Sequence, residues 1–580
     1  MSVTQWAVLL SLIAATIPLF LSAFAVFSPQ TRVRDTKDYF LNSASVDIDS
    51  FLKASIGYSL QVAAIFLFFY WAIKYGVNSL LVAGAWTAGY FLMAWAVKRQ
   101  VLDEFVIAAA DRAVVTIHGF IAYQLHTTSK AWKKAAVLTV ATASVIGLGG
   151  SLITEIDYTT KILFQTIGAS SSLEGAPQYE SGVHLTILFF VTFYVLWGGY
   201  KAVVFTERFQ VPAAYVSFFV FGIGVLYIAG RYASSGKALI AVAVFLLLVI
   251  LAARLFLLKN VKEPTAEAAG AAWLTFLPLI GLALVFLAFG EGDWTLPKNE
   301  VLFPEVKYSL GFGLVGAVSL FLTNAIWQFI DISSLQRLQS VGKHWHHQQG
   351  RAEVARALRV IGIEAGLGWT LIITVGLGLR AVGIDDVAKI GPTLIKYDLF
   401  GHALLPVFTF ALSVFMISTI SGFVSAISYI SYYDVVRLDH RTGMEIDGAP
   451  LRSARATTAL AIAFLYIGYL ILRSWTGNNI SAALYAIYAF QIAILPSVLT
   501  SMNFGNTQAF KFLRTRLRPF PVIVSTIAGL VTAAAAATQT DFLGRYIPED
   551  SVTVFPPLAV IVVTAVVFMV LASVPGNQRK

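Results

Sequence analysis

Gly198-Gly199-Tyr200-Lys201-Ala202-Val203-Val204-Phe205-Thr206-Glu207-Arg208-Phe209-Gln210 closes one apolar run, at about 183–200, and opens another, at about 211–230. Read physically, it is a tight helical hairpin with a very short turn over 201–210. The glycine pair permits close helix approach, and Lys201 and Arg208 have stems long enough to snorkel out of an apolar layer. Each flanking run is close to the ~20 residues that a bilayer core requires of a spanning helix. The hairpin therefore raises the question of how many such runs the chain contains.

The 580-residue chain is 58% hydrophobic and 12% charged, about half the ~25% charge of an ordinary soluble domain. Its mean hydropathy is +0.76. These values exclude a secreted disulfide scaffold, a disordered tail and a soluble enzyme. The absence of cysteine excludes disulfides, thiolate catalysis and thiolate-bound metal, and leaves the redox compartment open. Apolar runs recur at roughly 5–27, 51–73, 78–97, 135–156, 183–200, 211–230, 238–257, 270–290, 309–333, 357–380, 402–433, 457–474, 480–500, 520–539 and 553–574. The first lacks a basic leader, is too long for a signal-peptide core and is followed by Arg32, Arg34 and Lys37, so it reads as a retained helix with the N-terminus outside.

That orientation makes 28–53, 98–134, 201–210, 254–269, 334–360, 435–456, 501–519 and 575–580 the inner segments, and they hold 30 of the 41 Lys and Arg residues. Inner loops attract basic residues, so the bias predicts an all-α polytopic membrane protein of about fifteen helices, N-terminus outside and C-terminus inside. The net charge of +10 follows from this topology and needs no nucleic-acid partner. The expected partners are the lipid bilayer, as a multi-pass protein of the plasma (cytoplasmic or inner) membrane, and a small-molecule solute. Segment 102–126 is amphipathic and is expected to lie along the inner surface.

Several segments, in order, resemble the sodium:solute symporter family. The opening stretch matches its Gly-Gly-x-x-Ala-Val-x-x-Thr-Asp-x-x-Gln signature at every fixed position except that Glu207 stands for Asp. Thr36-Lys37-Asp38-Tyr39-Phe40-Leu41 is similar to the family's Asp-Tyr-Phe-Leu segment, and Ser334-Leu335-Gln336-Arg337 to its Gln-Arg segment before a basic inner loop. Ser418–Asp434 looks like core helix 8, and Pro496 stands where core helix 10 carries a proline. The resemblance spans about residues 36–500. It implies a LeuT-like core of two inverted five-helix repeats, with helices 1 and 6 discontinuous around a midplane site. The implied divisions are 1–50 (outer first helix and linker), 51–230 (first repeat), 231–308 (an inserted, peripheral two-helix hairpin), 309–500 (second repeat) and 501–580 (two further helices).

The resemblance also implies a Na⁺ site, formed by carbonyls near Ser59 and Val62 in core helix 1 with Phe415, Ser418 and Thr419 in core helix 8. Such a cage suits Na⁺, a hard cation whose oxygen ligands a broken helix can release in hydrocarbon. On the residues alone, Ser418, Thr419, Ser421, Ser425 and Ser428 read as close packing or bonds to their own helix. Glu207 corresponds to a family position implicated in cation coupling; a carboxylate in a helix's first turn is also favoured by the helix dipole. Gln61 stands where some relatives carry Asp, and Asp331 where the family is often neutral. Tyr58, Gln61, Trp327, Gln328, Asp331 and Gln491 are the candidate solute pocket, and Glu364 is a further intramembrane acid with Arg356 and Arg359 nearby. His344-Trp345-His346-His347 lacks a carboxylate or Cys at ligand spacing and reads as a solvated loop.

The expected function is secondary active transport, Na⁺-coupled symport of a small polar organic solute by alternating access. The expected cofactor is the co-transported Na⁺ alone, with no organic cofactor and no enzymatic activity, because neither a phosphate loop nor a hydrolytic constellation is present. The alternative is a transporter-fold membrane sensor that binds a solute without net transport. A sensor needs an output module, and the chain continues for only Pro575–Lys580 beyond its last apolar run.

Overall fold

The computed structural model describes residues 3–111, 116–166, 177–232, 313–385, 387–396, 398–437, 451–476, 483–502, 513–515, 517–538 and 555–574. Among these, every regular element is a helix. The helices are α1 (Val3–Ala25), α2 (Thr36–Leu41), α3 (Ile48–Ser59), α4 (Val62–Tyr75), α5 (Leu80–Lys98), α6 (Asp103–Asp111), α7 (Ile117–Gln124), α8 (Lys130–Thr166) and α9 (Pro177–Tyr232). They continue with α10 (Gly313–Ile330), α11 (Ile332–Ser340), α12 (Gln348–Ala381), α13 (Ile390–Leu394), α14 (Asp398–Ile430), α15 (Leu451–Thr476), α16 (Ala483–Ile492), α17 (Leu495–Ser501), α18 (Pro519–Thr538) and α19 (Phe555–Ser573). Among the described residues eight helices are long and apolar enough to cross a bilayer, and two further pairs, α3–α4 and α10–α11, qualify as bent spans with angles of 53° and 43°. The chain is a multi-pass helical membrane protein. The apolar runs at 238–257 and 270–290, and the proposed hairpin 231–308 that contains them, fall outside the described residues, apart from Arg231 and Tyr232 at the end of α9.

Helix α9 shows why the opening motif matters. Its 56 residues would extend for ~84 Å as one rod, far beyond a bilayer core of ~30 Å. It is broken at a single residue, Gly199, with φ +57° and ψ −156°. A Cβ there would stand 2.3 Å from the carbonyl oxygen of Tyr39 and 2.7 Å from its ring, so α2 docks where Gly199 leaves room. Lys201 fastens the same contact, with its Nζ 3.1 Å from Asp38 Oδ2. Two segments quoted for the family resemblance are thus packed on one another. The expected turn over 201–210 is corrected: those residues are helical, because Gly199 makes the break several residues earlier. Glu207 consequently lies about two turns inside the second rod, not in its first turn.

Small residues bring the remaining helices together, as expected where lipid supplies no hydrophobic drive between them. Gly147 and Gly150 of α8 abut Gln491 and Ile487 of α16, Gly89 of α5 abuts the α10 backbone, and Gly376 of α12 abuts Ala72 of α4. Phe68 stacks on Trp369 with centroids 4.3 Å apart, and Phe221 on Phe408 at 4.1 Å.

Two further expectations are corrected, and one gains detail. Segment 102–126 is amphipathic: Leu102, Phe105, Val106, Ile117, Phe120 and Ile121 are buried, while Glu104, Tyr123 and His126 are exposed. His118 Nδ1 reaches Asp434 Oδ2 at 2.7 Å and its Nε2 reaches Ser144 Oγ at 2.8 Å, which pins α7 to α8 and to the π-helical turn after α14. Trp345, placed in a solvated loop, is fully buried and donates Nε1–H to Asp103 Oδ1 at 2.7 Å. Gln336-Arg337, placed before a basic inner loop, lies within α11, where both side chains are buried.

The bend at Gly199 generates a test. Gly199→Ala places a Cβ against backbone in a conformation that costs a non-glycine residue about 1–3 kcal/mol before any clash. It should lower the melting temperature in detergent markedly, whereas Gly84→Ala, with no atom within 4 Å, should be neutral or stabilising by about 0.5–1 kcal/mol.

Candidate functional site

The two bends face each other, and each is held by a carboxylate. In an unbroken helix the N–H groups of Val62 and Ala63 would bond the carbonyls of Tyr58 and Ser59, four residues earlier. Instead, Val62 N–H donates to Glu155 Oε1 at 2.6 Å and Ala63 N–H to Glu155 Oε2 at 2.9 Å. Glu155, from α8, therefore caps the start of α4 and releases the carbonyls of Tyr58 and Ser59 from their usual helix donors. At the second bend Asp331 is the cap. Its Oδ2 accepts from Ser334 N–H at 2.9 Å and from Ser334 Oγ at 2.6 Å. Ile330 has lost its helix donor as well, and its carbonyl accepts from Gln491 Nε2 at 3.2 Å.

Tyr58 joins the two bends by donating its hydroxyl to Asp331 Oδ1 at 2.9 Å. Beside it, Gln61 Oε1 accepts from the Tyr488 hydroxyl at 3.0 Å, and the Trp327 ring meets Tyr488 edge-on with centroids 4.9 Å apart. Tyr58, Gln61, Trp327, Asp331 and Gln491 are thus brought together around the breaks. Gln328 joins them through Ser334, whose hydroxyl also bonds Asp331, and it lines a cavity with Ser55, Tyr58, Tyr90, Ser334 and Arg337.

Of the residues named for the ion, Ser418 and Glu207 are in contact. Gly57 of α3 leaves room for α14, where Ser418 Oγ would lie 2.8 Å from a Cβ at position 57. Ser418 Oγ donates to Glu207 Oε1 at 3.3 Å, not to its own helix. Its neighbour Thr419 is fully buried and its Oγ1 has no partner. Phe415, one turn earlier, packs on Tyr215 and Phe218 of α9. Ser59 and Val62 flank the break itself, and Ser59 Oγ is turned back onto the Ile56 carbonyl.

Glu207 is wholly buried, and its Oε2 has no hydrogen-bond partner. The nearest positive charge is Arg337 Nη2, 3.6 Å from Oε1, beyond ordinary hydrogen-bond length. Arg337 is held elsewhere, by the Ala54 carbonyl at 3.2 Å, the Ser333 carbonyl at 3.1 Å and the Tyr58 ring at 4.2 Å from its guanidinium carbon. This one side chain links α3, α9 and α11, and Gly422 of α14 leaves the space for its Nη2.

The sequence reading missed Glu155 and the burial of Arg337. Glu155 carried a visible signal, since a carboxylate within an apolar run is a functional candidate in a membrane; it stood beside the edge of the run at 135–156 and was read as the end of that run. Arg337 carried none, because a polar residue between an apolar run and a basic segment looks like loop.

The Arg337–Glu207 arrangement yields a stability test. Arg337→Ala leaves a buried, uncompensated carboxylate and should destabilise by about 3–5 kcal/mol. Arg337→Met combined with Glu207→Gln should melt closer to the wild type than Arg337→Ala in a detergent thermal scan. A double variant less stable than either single change would show that the two charges do not compensate each other.

No family model matches the chain, and no curated protein matches it in sequence. Among solved structures, it is similar to a Na⁺-coupled sialic acid symporter in a substrate-bound outward-open state, with TM-score 0.58 and 12% identity over 100% of this chain and 99% of that one. A nucleobase-cation-symport-1 family transporter in a closed conformation gives TM-score 0.38 at 12% identity over 94% and 96% of the two chains. A manganese transporter of Eremococcus coleocola gives 0.39 at 13% over 93% and 97%. The first likeness shows a shared fold, the LeuT-like one; the other two add nothing to that.

Proposed function

We propose that the chain is a secondary active transporter of the sodium:solute symporter type, coupling inward Na⁺ movement to uptake of a small polar organic solute across the plasma (inner) membrane. In this reading α3–α4 and α10–α11 are core helices 1 and 6 of the two inverted repeats, 51–230 and 309–500. The span count is fifteen, with the N-terminus outside and the C-terminus inside. The solute occupies the space between the two breaks, among Tyr58, Gln61, Trp327, Asp331 and Gln491.

The observation that carries this reading is the release of backbone oxygen at the first break together with buried, unsatisfied side-chain oxygen on α9 and α14. The carbonyl of Ser59 has lost its helix donor to Glu155, and Thr419 Oγ1 and Glu207 Oε2 lack partners. A monovalent hard cation supplies what these oxygens lack, and half-helix ends facing a midplane site are how such folds bind ions within hydrocarbon. Val62, Phe415 and Ser418 complete the proposed set, with Glu207 receiving the ion on its inward path. Because Arg337 stands 3.6 Å from Glu207, its positive charge weakens ion binding there and favours release. Coupling is reciprocal: solute should raise Na⁺ affinity by the factor by which Na⁺ raises solute affinity.

Uptake into proteoliposomes with NaCl or KCl outside tests the reading. Each hydroxyl contributes about 1–2 kcal/mol, so Ser418→Ala with Thr419→Ala should raise the half-saturating Na⁺ concentration at least about tenfold at unchanged expression. An unaltered Na⁺ titration would remove these residues from the site, and equal uptake in both salts would remove Na⁺ from the mechanism.

A further inference from the structure

The start of a half-helix inside a membrane ordinarily attracts an anionic group of the solute, because its unpaired N–H groups carry partial positive charge. Here that position is taken by the protein's own Glu155, with one oxygen on each of the N–H groups of Val62 and Ala63. An anionic solute would have to displace Glu155 and then lie beside a carboxylate in a medium of low dielectric. Glu155 itself is 1% exposed, and among the described residues no Lys or Arg pairs with it. Its two backbone bonds leave lone pairs on both oxygens.

The surroundings fit a cation. Asp331 supplies a second carboxylate at the other break, and the Tyr488 hydroxyl bonds Gln61 within the first break. The Trp327–Tyr488 pair presents aromatic surface beside Gln61, the residue preceding Val62, and aromatic faces attract organic cations. Two buried polar atoms around the breaks are also without partners: Gln491 Oε1, an acceptor suited to an N–H, and Trp327 Nε1, a donor suited to a solute oxygen. Their side chains are 0% and 4% exposed. Asp331 already holds Tyr58 and Ser334 as donors, so Glu155 is the carboxylate with capacity to spare.

We propose that the solute carries an amine or ammonium group together with a hydrogen-bonding oxygen, and that Glu155 receives the cationic group at the break between α3 and α4. The proposal rests on the transporter reading for the location of the solute, but its test is an equilibrium binding measurement that needs no transport. Purified full-length protein in NaCl is titrated with ethanolamine and choline, with their neutral isosteres 1-propanol and 3,3-dimethylbutan-1-ol, and with the anions glycolate and 3,3-dimethylbutanoate, following thermal stabilisation. At least one cation should bind about tenfold or more tightly than its neutral isostere, as expected for a desolvated charge pair, and the anions should not bind. Glu155→Gln should abolish the cation's advantage and Glu155→Asp should retain part of it. If Glu155→Gln does not fold, the isostere comparison in the wild type and the Glu155→Asp titration decide. Equal binding of the neutral isostere, preference for an anion, a cation preference unchanged in Glu155→Gln, or no binding by either cation overturns the proposal. Cations that bind but are not taken up would instead sink the transport reading and leave this one standing.

Discussion

Hydrocarbon cannot solvate a peptide group, so a helix broken within a membrane must find other partners for the backbone groups it exposes. Among the described residues two spans are bent in this way, and two buried carboxylates meet the demand. Glu155 reaches across from α8 to the start of α4, while Asp331 caps α11 from within its own break. Tyr58 spans the gap, so the two breaks are one bonded unit. Removing either carboxylate leaves buried N–H groups unsatisfied at about 1–3 kcal/mol each.

The same economy of polar groups governs the region one turn further along α3 and α14. Glu207 needs compensation, and Arg337 provides part of it at 3.6 Å while its other donors are engaged by backbone on α3 and α11. Glu207 Oε2 and the Thr419 hydroxyl are both buried without a partner. Glu207 of α9 meets Ser418 of α14 and Arg337 of α11, and Arg337 in turn bonds the α3 backbone, so polar groups of four helices meet around one carboxylate.

Much of this was legible beforehand. Tyr58, Gln61, Trp327, Asp331 and Gln491 were selected as polar or aromatic groups in apolar runs, and the tertiary structure gathers them around the breaks. Ser418 and Glu207 were chosen separately and are in contact. Gln328, one residue from Trp327, reaches the same group through Ser334, which bonds Asp331, and lines a cavity with Tyr58 and Arg337. The hairpin turn was misplaced because the eye follows charge, and Lys201 and Arg208 looked like a loop, whereas the backbone turns where only glycine accommodates Tyr39.

Composition and the spacing of apolar runs were enough to determine a polytopic helical membrane protein, because hydropathy acts locally and every twenty-residue window reports on itself. They also placed most polar residues that the bilayer would otherwise expel. The partners of those residues were decided by tertiary structure alone. Glu155 meets Val62 across 93 positions and Glu207 meets Ser418 across 211, and no local pattern encodes such distances. A buried charge is stable only beside the particular donors that the fold delivers to it, so the chemistry of the site existed only once the helices had packed.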